Sequence, residues 1–202
     1  MKFILSLLAS FTALVTLNVY AGGYKVGDVA TDFSLKNVDG KMVSLKDIQN
    51  TKGFIVVFTC NHCPYSVAYE DRIIALHNEF AGKGYPVVAI NPNDPNKVPE
   101  DSFEKMIERS KAKKFPFMYL LDGTQDIAKT YGASRTPHVF LLVKKGNDLV
   151  VSYIGAIDDN TEDEKAAKNK YVESAVQAVI AGKTPSPDFT KAIGCGIKWS
   201  GK

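Results

Sequence analysis

Cys60 and Cys63 stand in Phe58-Thr59-Cys60-Asn61-His62-Cys63-Pro64, between an apolar β-branched run, Phe54 to Phe58, and a segment of helical periodicity. From Ser66 onward Tyr69, Ile73, Leu76 and Phe80 recur at threes and fours, and Gly82 and Gly84 close the element. A Cys-x-x-Cys pair at a strand-to-helix junction places the first sulfur at a helix N-terminus. There the unpaired N–H groups and the helix dipole favour a thiolate. The thiolate is the nucleophile of disulfide exchange, so Cys60 is expected to attack and Cys63 to resolve the mixed disulfide. The competing assignments are half of a zinc site or a structural disulfide. A zinc site needs a second ligand pair, and only Cys195 and three histidines remain to supply it.

The elements that must position this pair alternate in type. A small β-hairpin is expected from Val26 to Leu35 and Met42 to Leu45 around Asp39-Gly40. Phe54–Phe58 reads as a central strand, Tyr85–Ile90 as the next, and Glu100–Ala112 as a polar amphipathic helix. Phe117–Leu120, a short helix over Asp126–Tyr131, a hairpin of Val139–Val143 with Leu149–Ile154, and a last helix over Tyr171–Ala181 follow. This order defines a mixed α/β layer arrangement.

Met1-Lys2, the uncharged run Phe3–Leu17 and the small-residue end Val19-Tyr20-Ala21 have the order of a cleaved secretory signal peptide. The run is shorter than the ~20 residues a membrane span needs. Residues 1–21 are therefore read as a signal, 22–181 as one domain and 182–202 as a tail carrying Cys195. No stable membrane insertion is expected after cleavage. The net charge of +3, without a basic cluster interleaved with aromatics, argues against nucleic acid. Three cysteines in an exported chain are too few for a disulfide scaffold, and the odd thiol needs an explanation.

The chain resembles the thioredoxin superfamily, in its AhpC/TSA-like (redoxin) branch of exported proteins. The resemblance rests on Val26-Gly27-Asp28-Val29-Ala30-Thr31-Asp32-Phe33-Ser34-Leu35, the CNHC site and Arg135-Thr136-Pro137-His138-Val139-Phe140. It implies a thioredoxin fold, a mixed central sheet flanked by helices, with an N-terminal β-hairpin extension. It also implies a cis-proline at Pro137 after Thr136, facing the cysteines and guiding the substrate chain. Peroxiredoxins carry Pro eight and Thr or Ser three residues before their reactive Cys; Lys52 and Val57 stand there, which counts against a peroxidase. Thioredoxin's Trp and buried Asp are replaced by Thr59 and Phe54, so another carboxylate must accept the proton of Cys63. Asp158 and Asp159 are candidates, in a loop expected to return to the site, the alternative being a solvated turn.

His62, next to the second Cys as in the periplasmic oxidase DsbA, is expected to stabilise the Cys60 thiolate and make the disulfide more oxidising. Asn61 departs from that pattern. His138 is placed on the same surface. Cys195, between Gly194 and Gly196, is either a transient partner of Cys60 or a free thiol packed with Ile197 and Trp199.

These residues lead to an exported, periplasmic thiol–disulfide oxidoreductase. Its expected partners are protein thiols and disulfides and a membrane redox partner, and no cofactor or metal is expected. The alternatives are a thiol peroxidase resolving through Cys63 or Cys195, and a Cu- or Zn-binding metallochaperone using Cys60, Cys63 and His62 or His138.

Overall fold

The computed structural model describes residues 22–201; the segment read as a signal peptide lies outside the described residues. Among the described residues eight strands form one sheet: β1 (Val29–Ala30), β2 (Ser34–Asn37), β3 (Met42–Ser44), β4 (Gly53–Phe58), β5 (Val87–Asn91), β6 (Met118–Leu121), β8 (His138–Lys145) and β9 (Asp148–Gly155). Their order is β1-β9-β8-β4-β5-β6-β2-β3. The strands β4, β5 and β6 run parallel, and β8 joins the other edge of β4 antiparallel. The short β7 (Arg135–Thr136) and β10 (Cys195–Gly196) pair separately. The helices are α1 (Pro64–Phe80), α2 (Phe103–Lys113), α3 (Asp126–Tyr131) and α4 (Tyr171–Ile180). This is a thioredoxin fold. The segment expected as the first hairpin strand is split: Ser34–Asn37 (β2) pairs with β3 and, on its other edge, with β6, whereas Val29–Ala30 (β1) joins β9 at the opposite edge of the sheet.

The continuous apolar run of β4 is needed because both faces of that strand are covered, which the alternation of its side chains makes visible. Ile55 and Val57 face a core with Tyr69 and Ile73 of α1, Met106 of α2 and Val172 and Val176 of α4. Phe54, Val56 and Phe58 face the opposite core with Phe33, Leu45, Tyr131, Phe140 and Ile197. In that second core Phe58, Tyr131 and Phe140 meet edge to face, with ring centroids 5.4–5.7 Å apart. The central strand is thereby held from both sides, and its C-terminal end, which delivers Thr59 and Cys60, is fixed.

Helix α1 is not apolar all along its inner stripe. Glu70 and Arg72 are buried on it, and each has its own partner. Arg109 of α2 donates twice to Glu70, at 2.6 and 2.7 Å. Arg72 reaches Asp158 at 2.6 Å and the Asn160 and Thr161 carbonyls, and Tyr69 donates to the same Asp158 at 2.8 Å. The loop after β9 is thus tied to the flank of α1. Replacing Asp158 by alanine would leave a buried guanidinium unpaired, which costs about 3–5 kcal/mol. Urea unfolding of Asp158→Ala should show that loss, whereas Asp159→Ala, whose carboxylate is exposed, should change stability little.

Candidate active site

Cys60 follows β4 directly, and Cys63 is the N-cap of α1 with Pro64 in the first turn, where its missing N–H costs nothing. The loop between them is held by Asp101, which has no solvent exposure. The backbone N–H groups of Asn61 and His62 donate to Asp101 Oδ1 at 2.7 and 3.3 Å. Asn93 Nδ2 donates to Oδ2 at 2.7 Å, and His62 Nδ1 lies 2.6 Å from the same oxygen. Asn61 is fixed at both ends of its amide, donating to the Glu100 carbonyl at 2.8 Å and accepting from Tyr119 Oη at 2.9 Å.

Thr136 is the second organiser. Its Oγ1 lies 3.2 Å from Cys60 Sγ, its carbonyl oxygen lies 3.3 Å from Cys63 Sγ, and its backbone pairs with Cys195. The Thr136–Pro137 bond is cis. Cys63 is bonded to Cys195, and Cys60 is a free, buried thiol within 3.7 Å of Ser66 Oγ and 3.6 Å of His62 Nδ1. Neither fate foreseen for Cys195, pairing with Cys60 or remaining a free thiol, is the one observed. The tail crosses the site and places Cys195 opposite Thr136, within reach of Cys63.

The expected role of His62 is corrected by the same geometry. A carboxylate can only accept, so Nδ1 carries its hydrogen toward Asp101 at 2.6 Å and not toward the sulfur at 3.6 Å. Burial, and after it the Asp101 charge, raise the Cys60 pKa above its ordinary value, against hydrogen bonds from Thr136, the Cys63 backbone and Ser66. Cys60 therefore rests as a thiol in this state. His138 is also reassigned. It is buried, accepts from the Ser134 N–H at 3.4 Å and packs on Phe140, and burial lowers its pKa to about 4, so it stays neutral. Asp158 belongs to the Arg72 ion pair and Asp159 caps Lys168 and Asn169; neither contacts a cysteine.

Asp101, the carboxylate that does meet the site, lies just ahead of α2, which opens at Phe103 and not at Glu100. Ser102, whose side chain accepts from Lys105 N–H, was the signal for that boundary. Cys60, His62 and Asp101 each offer one ligand atom, all within 4.8 Å of one another, so a soft cation could be held there. The ligand set using Cys63 or His138 is not available, because Cys63 is in a disulfide and His138 is buried against Phe140.

A thioredoxin fold carrying a free thiol, a disulfide and a cis-proline at one end of its sheet is that of a thiol-based oxidoreductase. The chain belongs to the AhpC/TSA family, whose model matches residues 26–150. It is similar to thiol-disulfide oxidoreductase ResA of Halalkalibacterium halodurans, 22% identical over 166 residues that cover 79% of this chain and 89% of that protein. A Helicobacter pylori protein named as peroxiredoxin bcp is 29% identical over 109 residues, 54% of this chain and 66% of its own length. The crystal structure of an uncharacterized conserved protein from Geobacillus kaustophilus superposes with TM-score 0.81 at 34% identity, covering 88% of this chain and 94% of the other. The protein is an oxidoreductase.

The sign of the Asp101 effect is testable. Asp101→Asn should lower the pH at which Cys60 ionises, read by ultraviolet thiolate absorbance of the protein with Cys63–Cys195 intact. If Asp101 instead served by charging His62 toward the sulfur, the same change would raise it.

Proposed function

We propose that this protein is an exported thiol–disulfide oxidoreductase that acts on disulfides of other proteins, with Cys60 attacking and Cys63 resolving. The observation that carries this reading is the free Cys60 thiol beside Thr136 and Ser66, with Cys63 at the head of α1 against the same threonine. The likeness to a protein named thiol-disulfide oxidoreductase supports it. The leader-like residues 1–21 support export. Residues 22–181 then make the working domain and 182–202 its tail. Pro137, next to Thr136, is assigned the guidance of the substrate chain.

In the reduced enzyme Cys60 attacks a substrate disulfide, one substrate sulfur leaves as a thiol, and Cys63 displaces the other from Cys60. Two electrons pass from the enzyme to the substrate. A membrane-borne dithiol is proposed to return them. Because the His62 hydrogen is engaged by Asp101, the thiolate is not selectively stabilised, and strong oxidants of this type owe their potential to such stabilisation. The direction favoured is therefore reduction.

The match to the peroxiredoxin-named protein favours a second reading, Cys60 as a peroxide-reducing thiol. The two part in one assay series. Cys60→Ser should lower reduction of a protein disulfide by about a hundredfold or more, since the nucleophile is lost. Cys63→Ser should accumulate the substrate covalently linked to Cys60. If wild-type protein consumes hydrogen peroxide with thiols but leaves protein disulfides untouched, the peroxidase reading replaces this one.

A further inference from the structure

Disulfide exchange through Cys60 and Cys63 uses two sulfurs, yet three meet at Thr136. The third arrives on a strap anchored at Thr190 and again from Gly194 onward. Thr190 Oγ1 accepts from the Ala156 N–H at 3.0 Å, and Gly194-Cys195-Gly196 then runs antiparallel to β7, with Cys195 opposite Thr136 and Gly196 opposite Arg135. A Cβ on residue 194 would overlap the Thr136 carbonyl, so glycine is required for this approach.

Beyond it Ile197 is buried in the second core. The Lys198 N–H donates to Asn93 Oδ1 at 2.9 Å, and the Lys198 carbonyl accepts from Gln125 Nε2 at 2.9 Å. Asn93 is the same residue that donates to Asp101. The strap's seat and the loop that carries Cys60 therefore share an anchor. The strap also pairs with the backbone immediately before Pro137, the position an extended substrate segment would need, so it lies across the site as such a segment would.

We propose that Cys195 is a third redox cysteine of this enzyme, one that takes over the disulfide from Cys60–Cys63 by internal exchange. The proposal rests on the reading given under Proposed function. After a substrate has been reduced and Cys60–Cys63 has formed, the Cys195 thiolate attacks Cys63 Sγ. The Cys63–Cys195 bond forms, the Cys60–Cys63 bond breaks, and Cys60 leaves with the bond's electron pair and takes up the proton Cys195 gave away. No net electron transfer occurs in this step. Its product is the state observed, with Cys60 free and Cys63 joined to Cys195. In that state the Thr136 edge is covered, and the oxidised enzyme accepts no further substrate until an external dithiol reduces Cys63–Cys195 and releases the strap.

The test uses full-length mature protein, fully reduced, mixed with glutathione disulfide, quenched in acid at intervals, alkylated and mapped by mass spectrometry. Cys60–Cys63 should appear first and give way to Cys63–Cys195 with Cys60 alkylated. Cys195→Ser should stop at Cys60–Cys63, and Cys60→Ser should reach Cys63–Cys195 about tenfold more slowly or worse, having lost its entry thiol. Trp199, the sole tryptophan, should report strap seating by fluorescence in wild type and not in Cys195→Ser. Wild type ending at Cys60–Cys63 with Cys195 alkylated would overturn the proposal and leave the exchange reading standing. So would Cys63–Cys195 forming equally fast in Cys60→Ser, the behaviour of a passive staple. Failure of both wild type and Cys195→Ser to oxidise at all would remove the exchange reading itself.

Discussion

The buried carboxylate of Asp101 holds the active-site loop by four donors: two backbone N–H groups from the Cys-x-x-Cys segment, the His62 ring and the Asn93 amide. A carboxylate without exposure is tolerated only when its lone pairs are filled in this way, and removing any donor leaves charge uncompensated in a low-dielectric setting. The rest of the site follows from that constraint. Asp101 fixes the path from β4 to α1, so it decides where Cys60 points. It claims the imidazole hydrogen, so it decides what His62 can do. Its charge also opposes ionisation of the neighbouring thiol.

Around this anchor the fold assembles the reacting groups from distant parts of the chain. The end of the central strand supplies Cys60, the first turn of α1 supplies Cys63 and Ser66, and the turn into β8 supplies Thr136 with its cis-proline. The C-terminal segment supplies Cys195 and reaches it through pairing with β7. Each piece is held by a different kind of interaction: two apolar cores clamp β4, ion pairs of Glu70 and Arg72 set the flanks of α1, and amide hydrogen bonds seat the strap. Cys60 is thereby held buried beside Thr136 and Ser66.

Much of this was legible in the residues, and the parts that were not share a cause. The continuous apolar run of β4, the 3.6-residue period of α1 and the Gly40 turn state their elements outright, because local pattern and final environment agree. Cys60 and Cys63 stand out because their chemistry is tied to local spacing, whereas Thr136 and Pro137 are marked by the family resemblance alone. Asp101 was hidden by lying on a polar stretch whose only boundary marker is Ser102, and its function depends on partners some 40 positions earlier. The same holds for Asp158: its place in a loop suggested the site, but Arg72 draws it to the flank of α1. The residues around Cys195 pointed to a partner in Cys60 or to a free thiol, yet which sulfur it meets depends on the register of β10 with β7, which no local pattern encodes.

The most direct test of the claim that Asp101 leaves the Cys60 thiolate without selective stabilisation is the reduction potential of the Cys60–Cys63 pair in the mature Cys195→Ser protein, because in wild type the disulfide is Cys63–Cys195 and Cys60 is free. It is measured by equilibration in glutathione buffers with free thiols counted by mass. The account requires a two-electron transition that leaves no free thiol in that variant, with a midpoint nearer thioredoxin's about −270 mV than DsbA's about −120 mV. A midpoint close to about −120 mV would contradict it, because a disulfide that oxidising needs a strongly stabilised thiolate at Cys60.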